Sequence, residues 1–397
     1  MQIFVFLKGK MSREAVVFGS GDWFVKLLPG LSARGIAPTI VVGGSPVEEG
    51  QRRIEAGGSS ARYVSEEQFR DIEFPEGSTG MVLSRPGEHR DHAAQLYHKG
   101  IRRVLVEKPL GLNWREVFGL QALFRQTPES VLFASDHYVF KMLSLWLMAG
   151  KDRYEGHLKP MHEQQMELND MWGSLEQIGQ VQKVTGRLIE GGEDPAGMIG
   201  HRSWLTDPGQ GGGLKDLAVH LFAGAAKLKM LQGIRVTEVL AEVVDEQTGM
   251  WRPVSQFGKD NRAELLAQVV MENEHGATID ITVGKVGKTR PGIALGKYLV
   301  IEGEQGRARV NLAGPYGSTE VRLNNGQRWG AVMIGPDAYG MVAEEFMRAL
   351  VGQGPDNGDV ALTSVAMVEL AEEVYNLHAE PKLLGNRQWN RPMIIAA

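Results

Sequence analysis

Lys108 lies in a Glu107-Lys108-Pro109 turn that closes the apolar run Val104-Leu105-Val106. A lysine at the carboxyl end of a parallel strand sits where open α/β sheets bind their ligands. Its ammonium can hydrogen-bond a hydroxyl and stabilise charge growing on that oxygen. A second constellation is Gly211-Gly212-Gly213-Leu214-Lys215-Asp216-Leu217-Ala218-Val219-His220. Asp216 and His220 are four apart, so on a helix they share a face. The imidazole can accept a proton near neutral pH, and the carboxylate can orient the ring and stabilise its cation. The plainer alternative is a solvated Asp–His pair, but Leu217, Val219 and Leu221 argue against a wet face, and the glycines are expected to make room for a ligand. Lys108, Asp216 and His220 are the candidate catalytic set: one cation to polarise an alcohol oxygen, one base to take its proton.

Such chemistry needs a hydride carrier, and the N-terminal part offers a place for one. Gly19-Ser20-Gly21-Asp22-Trp23-Phe24 follows the apolar run Ala15–Phe18. Two glycines there allow a tight turn and close approach of a pyrophosphate to backbone N–H groups at a helix start. Phe24 takes the place of a third glycine, so the helix must pack differently on its strand. Gly19, Ser20, Gly21, Asp22 and Trp23 are the first cofactor-binding candidates, joined by Ser45, Ser84, Glu107 and Lys108 at later strand tips. An acid about 20 residues on would hold the ribose hydroxyls of NAD. The second strand instead ends in Val42-Gly43-Gly44-Ser45, with Glu48 and Glu49 later and Arg52 and Arg53 beyond. The missing acid leans the cofactor from NAD towards NADP, although those arginines also suit a solvated helix face.

Asp136-His137-Tyr138-Val139-Phe140-Lys141 follows the last strand of the nucleotide-binding part. Lys141 and His137 are candidates for a phosphate or sugar oxygen; the alternative is that His137 and Tyr138 cap an interdomain hinge. With Arg202 and Asp216, these form the substrate-binding set. His89, His92, His98, His157 and His162 show no metal-ligand spacing, His157 and His162 lie in a charged stretch that reads as solvated, and no metal is expected.

Positioning these groups takes two domains, the natural prior for 397 residues. Apolar runs at Ala15–Phe18, Thr39–Val42, Ala61–Val64, Met81–Ser84, Val104–Val106 and Val131–Ala134 alternate with helical patterns such as Asp91–Gly100 and Trp114–Gln126. That alternation predicts a doubly wound parallel sheet over residues 1–137. From 138 to 397 the runs lengthen and alternate: Gln180–Ile189, Arg235–Val244, Leu265–Met271, Ala277–Val283 and Lys297–Ile301, with a hairpin turn at Asn324-Asn325-Gly326. They predict an antiparallel sheet packed on one face. Met142–Met148 reads as an amphipathic segment opening a methionine-rich polar stretch that reaches Trp172, and helical patterns at Tyr339–Val351 and Leu362–Leu377 close the chain.

A net charge of -5 gives no reason to expect a nucleic-acid partner. Zero cysteines exclude disulfides, zinc-thiolate sites and thiol nucleophiles. The run Ile3–Leu7 is too short for a membrane span or a signal-peptide core; it reads as an edge strand or a start-site extension, and a cytoplasmic protein with no membrane partner is expected.

The ordered set of motifs resembles the Gfo/Idh/MocA oxidoreductases, named after glucose–fructose oxidoreductase and inositol dehydrogenase. The resemblance runs through Gly19-x-Gly21, Glu107-Lys108-Pro109, Arg202 to the triple glycine, Asp216-x-x-x-His220 and Ile301-x-Gly303-x-x-Gly306. It implies a Rossmann domain followed by an α/β domain with a largely antiparallel open sheet, homodimers or homotetramers, NAD(P), and a sugar, sugar derivative or cyclitol as substrate. Two other activities share these motifs: redox-assisted glycoside cleavage on tightly held NAD, and non-catalytic cofactor or sugar sensing. Asp136-His137-Tyr138-x-x-Lys141 additionally resembles a motif of glucose-6-phosphate dehydrogenases, in which the histidine and lysine contact a phosphate.

Overall fold

Six short apolar runs become strands β1 (Glu14–Phe18), β2 (Ala37–Val42), β3 (Arg62–Val64), β4 (Thr79–Val82), β5 (Arg103–Glu107) and β6 (Val131–Ser135). All pair in parallel in the order β3-β2-β1-β4-β5-β6. Ala15 to Phe18 are buried without a break, as required of a strand covered on both faces. The strand order reverses between β1 and β4, the switch point at which doubly wound sheets bind nucleotides. The intervening helices include α1 (Asp22–Ser32), α2 (Val47–Ala56), α3 (His89–His98) and α4 (Trp114–Arg125). Asn113 caps α4 by accepting the Glu116 N–H at 3.0 Å, and the Glu116 carboxylate accepts the Leu112 N–H at 2.8 Å.

This computed structural model describes residues 14–150, 155–161, 167–191, 202–245, 248–257, 263–285, 293–352, 361, 365–369 and 371. The expected edge strand at 3–7, parts of the 151–172 insertion with His162, and most of the 362–377 helical stretch lie outside them. The chain divides into two units, 1–137 with 339–362, and 138–338 with 363–397. The C-terminal helix Ala338–Leu350 thus contributes mainly to the first unit, which its place in the sequence did not announce. The reason is local packing: a Cβ at Gly30 would lie 3.2 Å from the Gly340 Cα, Arg34 pairs with Glu344 at 2.8 Å, and Phe133 meets Phe346 at 5.7 Å.

The second unit carries a ten-stranded sheet. Its strands are β7 (Leu158–Pro160), β8 (Val181–Glu190), β9 (Arg235–Val244), β10 (Trp251–Pro253), β11 (Leu266–Glu272), β12 (Thr278–Lys285), β13 (Gly296–Gly303), β14 (Gly306–Asn311), β15 (Ser318–Leu323) and β16 (Arg328–Met333). Their order is β10-β9-β11-β12-β8-β13-β14-β15-β16-β7, antiparallel except for β8 with β12. Burial alternates along β14, and the expected hairpin turn at Asn324–Gly326 joins β15 to β16. One expectation is overturned. Met142 and the helix α5 (Leu143–Met148) are buried on every side, so the segment is not amphipathic. Its apolar bulk packs beside α6 (Val219–Lys227), where a Cβ on Gly224 would meet the Met142 sulfur at 2.6 Å.

Candidate functional site

In the first unit the candidate residues sit on loops leaving the carboxyl ends of adjacent parallel strands. Phe18 pairs with Val42 and Val82, so the loops at Gly19, Gly43 and Leu83 leave the sheet side by side. Gly19 has φ +100°, and a Cβ there would lie 2.6 Å from the Leu83 carbonyl oxygen; its glycine is demanded by the chain itself. Gly21 differs. It precedes α1 with φ −83°, and a Cβ there would meet nothing within 4 Å. The fold leaves that space open beside the first N–H groups of a helix, which suits an anionic ligand. Phe24, at the third-glycine position, is buried in the core.

Gly43 at the β2 tip and Gly50 in α2 both make room for the Tyr63 ring, whose hydroxyl accepts the Ser45 N–H at 3.2 Å. Arg53 pairs with Glu49 at 2.8 Å on the exposed face of α2, and the Arg52 guanidinium donates to the Glu48 carbonyl. These arginines read as a solvated face, so the neutral tip alone carries the lean to NADP.

Ser84 and the Lys108 turn are held by two histidines of α3 that sequence reasoning set aside. The Ser84 hydroxyl lies 2.8 Å from His92 Nδ1, and the His92 ring stacks on Phe18. His89 is fully buried, with Nδ1 at 2.7 Å from the Pro109 carbonyl oxygen and Nε2 at 3.0 Å from that of Ser84. One side chain therefore ties the loop after β4 to the turn after β5. Burial holds both histidines below their ordinary pKa, outweighing the carbonyls around His89 and the acids around His92. Lys108 is buried, and its N–H donates to the Ser135 carbonyl at 3.1 Å; Glu107 is buried beneath it at the end of β5. His137 stacks on Tyr339 at 4.9 Å with Trp23 at 5.0 Å, an aromatic cluster that gives both rings a packing role.

In the second unit, Asp216 lies in a π-helical turn, Leu214–Ala218, which runs directly into α6 and its buried His220. Such turns recur at functional sites. Two of the three glycines are required by the chain's own packing. A Cβ on Gly211 would lie 2.2 Å from the Trp204 carbonyl oxygen, and one on Gly212 would lie 2.6 Å from the Glu264 carboxylate. Glu264 needs that approach because it accepts the Leu214 N–H at 2.8 Å, where the helical segment begins. Arg202 is exposed beside the short turn Ser203–Thr206. His157, read as solvated, has its Nδ1 3.0 Å from the Gly335 carbonyl oxygen.

Three charged residues of the second unit escaped the sequence reading. Lys285 lies 2.9 Å from the Asp216 carboxylate and 2.9 Å from that of Glu190. Lys297 pairs with the other Glu190 oxygen at 2.7 Å and donates to the Tyr138 hydroxyl at 3.2 Å. The Tyr138 hydroxyl is 3.4 Å from Glu190, and its ring packs 4.6 Å from the His220 ring. Burial alone would push Glu190 up, but Lys285 and Lys297 outweigh it and hold the carboxyl down at about 2. Burial would likewise lower Lys285, yet Asp216 and Glu190 raise it. Lys141 is buried, donates to the Leu312 carbonyl at 3.2 Å, and lies over the Tyr138 ring at 4.5 Å. Burial, then Lys297, lowers its ammonium to about 8.

No family model matches this sequence, and no curated protein matches it either. Solved structures do share its fold. A 3-ketoreductase from Actinomadura kijaniata, in complex with NADP and TDP-benzene, is 16% identical, with 92% of this chain and 98% of that one covered at a TM-score of 0.67. An aldose-aldose oxidoreductase from Caulobacter crescentus is 16% identical, covering 93% and 98%, at 0.68. A UDP-N-acetylglucosamine 3-dehydrogenase from Acidithiobacillus ferrooxidans is 13% identical, covering 90% and 96%, at 0.60. The shared architecture is a Rossmann-like parallel sheet followed by a mostly antiparallel one. Among the described residues no helix is long and apolar enough to cross a membrane.

Proposed function

We propose that this protein is an NADP(H)-dependent oxidoreductase that moves hydride between nicotinamide and a secondary alcohol or ketone of a sugar, sugar derivative or cyclitol. The observation that carries the reading is the open space at Gly21, at a helix start on the switch point of a β3-β2-β1-β4-β5-β6 sheet. Three structures of the same fold whose names are those of sugar oxidoreductases support the substrate class, and the NADP held by one of them supports the cofactor. The nicotinamide supplies the redox chemistry when bound. Gly19, Ser20, Gly21, Asp22 and Trp23 would receive the dinucleotide, with Ser45, Ser84, Glu107 and Lys108 from the neighbouring tips.

Lys108 hydrogen-bonds the reacting oxygen and stabilises its charge, while His220 exchanges that oxygen's proton and Asp216 stabilises the imidazolium. His137, Tyr138, Lys141 and Arg202 are the remaining substrate-binding candidates, and the chain works as a homodimer or homotetramer in the cytoplasm. The test is a fluorescence titration with NADPH and NADH, followed by turnover of aldoses, cyclitols, sugar phosphates and nucleotide-linked sugars with NADP+, and of their keto forms with NADPH. NADPH should bind more tightly than NADH, and at least one substrate class should reduce NADP+ or, as its ketone, consume NADPH stoichiometrically. A protein that binds neither nucleotide would contradict the reading; cleavage of a glycoside without net NADPH release would move it to the redox-assisted class.

A further inference from the structure

The inward-facing charges of the second unit call for an explanation beyond the Asp216–His220 pair. Along β8 the buried register Val184, Gly186, Leu188 continues into Glu190; along β12, Ile279, Ile281 and Val283 continue into Lys285. Along β13, Lys297 opens the register of Leu299 and Ile301. Strand pairing sets Lys285 opposite Glu190 and Lys297 opposite Leu188, so all three charges gather at one end of three adjacent strands. Inward positions normally take apolar residues, because an uncompensated buried charge is costly. Here the charges compensate one another, two carboxylates against two ammonium groups.

We propose that Glu190 is a positioning residue for the catalytic pair: with one oxygen it shares Lys285 with Asp216, so that this ammonium does not pair with Asp216 alone, and with the other it holds Lys297 and the hydroxyl of Tyr138, whose ring packs on His220. The inference rests on the roles proposed above for Asp216 and His220. Lys285 has a carboxylate on either side, at 2.9 Å each. Without Glu190, its ammonium would turn wholly to Asp216, drawing that carboxylate's charge away from an imidazolium. The Glu190 contact is one of several on Tyr138, whose ring also lies under the Lys141 ammonium, so its loss should shift the ring and change how it packs on His220. Glu190 thus reaches each member of the pair through another side chain, Asp216 through Lys285 and His220 through Tyr138.

The experiment joins a double-mutant cycle, read as single-turnover hydride transfer from NADPH on the substrate the panel identifies, with histidine-ring NMR of the free protein. Glu190→Gln keeps the shape and removes the charge. It should slow the hydride step about 10- to 100-fold, the range typical of a lost orienting partner, with substrate KM and NADPH affinity little changed. In an Asp216→Asn background the same change should cost clearly less, because only the route through Tyr138 remains. It should also shift the His220 ring resonances, identified by their loss in His220→Asn, and leave those of exposed His275 in place. Equal cost in both backgrounds, or an unmoved His220 ring, overturns the proposal. If no substrate supports hydride transfer, the proposed activity fails while the ring spectrum still decides on Glu190. If Glu190→Gln does not fold, as judged by lost NADPH binding, Tyr138→Phe takes its place: removing only the hydroxyl should produce a His220 shift, and an unmoved ring overturns the idea.

Discussion

The two units build their candidate sites from different materials. In the first, the candidate site is mostly backbone: a helix start left open at Gly21, and strand-tip loops held in place by carbonyl contacts to His89. In the second, it is mostly charge, carried by long side chains at the ends of β8, β12 and β13 and balanced in pairs. A backbone cradle suits a ligand of fixed shape and charge, as a dinucleotide is. A side-chain network is easily changed by substitution, which is where proteins of one fold can differ in substrate. The contrast implies that substitutions in the first unit act mainly on cofactor binding and stability, and those in the second on chemistry and pH response.

The largest effects should fall on the chemical step. His220→Ala should cut turnover about 10²–10⁴-fold with NADPH affinity nearly intact, the usual worth of general acid–base assistance. Lys108→Ala should cost a similar factor, although it stands in the cofactor unit; it is the residue on which the contrast is expected to break. Steady-state kinetics beside fluorescence titration reads both. Near-normal turnover in His220→Ala would make Tyr138 or Lys108 the leading proton acceptor.

The two glycines of the first loop should separate next. Gly19→Val places a β-branched residue at φ +100° against the Leu83 carbonyl, and should destabilise the fold by about 3 kcal/mol or more, measured by thermal or urea unfolding. Gly21→Val should unfold like the wild type but lose NADPH affinity. If both variants keep the cofactor, the dinucleotide loop has been misplaced. His89→Phe keeps a ring while removing both carbonyl contacts, and should cost about 1–3 kcal/mol together with a lower turnover through the Lys108 turn.

Smallest are the pH effects, and they belong to the second unit. Glu190 titrates lower folded than unfolded, so its contribution is complete above its ordinary 4.5 and is lost as pH falls towards about 2. Acid unfolding of Glu190→Gln should therefore be flatter than wild type across that window. Lys141 is also lowered, from 10.5 to about 8, but for a lysine the sign reverses: the unfolded chain holds the proton more tightly, and stability should rise with pH between those values. Lys141→Met should remove that rise.

The same contrast explains what was legible in the sequence. Parallel strands covered on both faces are continuous apolar runs, so all six strands of the first sheet were found with their ends within two residues. The hairpin at Asn324–Gly326 was equally plain, because its turn demands those residue types. Glu190, Lys285 and Lys297 were missed because they meet across 95 and 107 residues of chain, a distance that no local pattern spans. A signal did exist: each carries charge into the inward register of an otherwise apolar alternation. The triple glycine shows the same limit. Spacing reveals that room is needed, but whether a ligand or the chain's own Glu264 fills it depends on a contact 50 residues away. His89 and His92 were passed over because a search for metal spacing does not detect a histidine that bridges two carbonyls or fixes a serine.

The central claim, that Lys108 and His220 serve hydride transfer on a carbohydrate, is tested most directly by isotope. NADPH carrying deuterium at nicotinamide C4 would be mixed in a single turnover with keto-sugars, free or nucleotide-linked, and the product examined by mass spectrometry. The account predicts one deuterium on the carbinol carbon with the wild type, and a transfer slowed about 10²–10⁴-fold in His220→Ala and in Lys108→Ala while both still bind NADPH. Unlabelled product from the wild type, or full labelling at the wild-type rate in both variants, would contradict it.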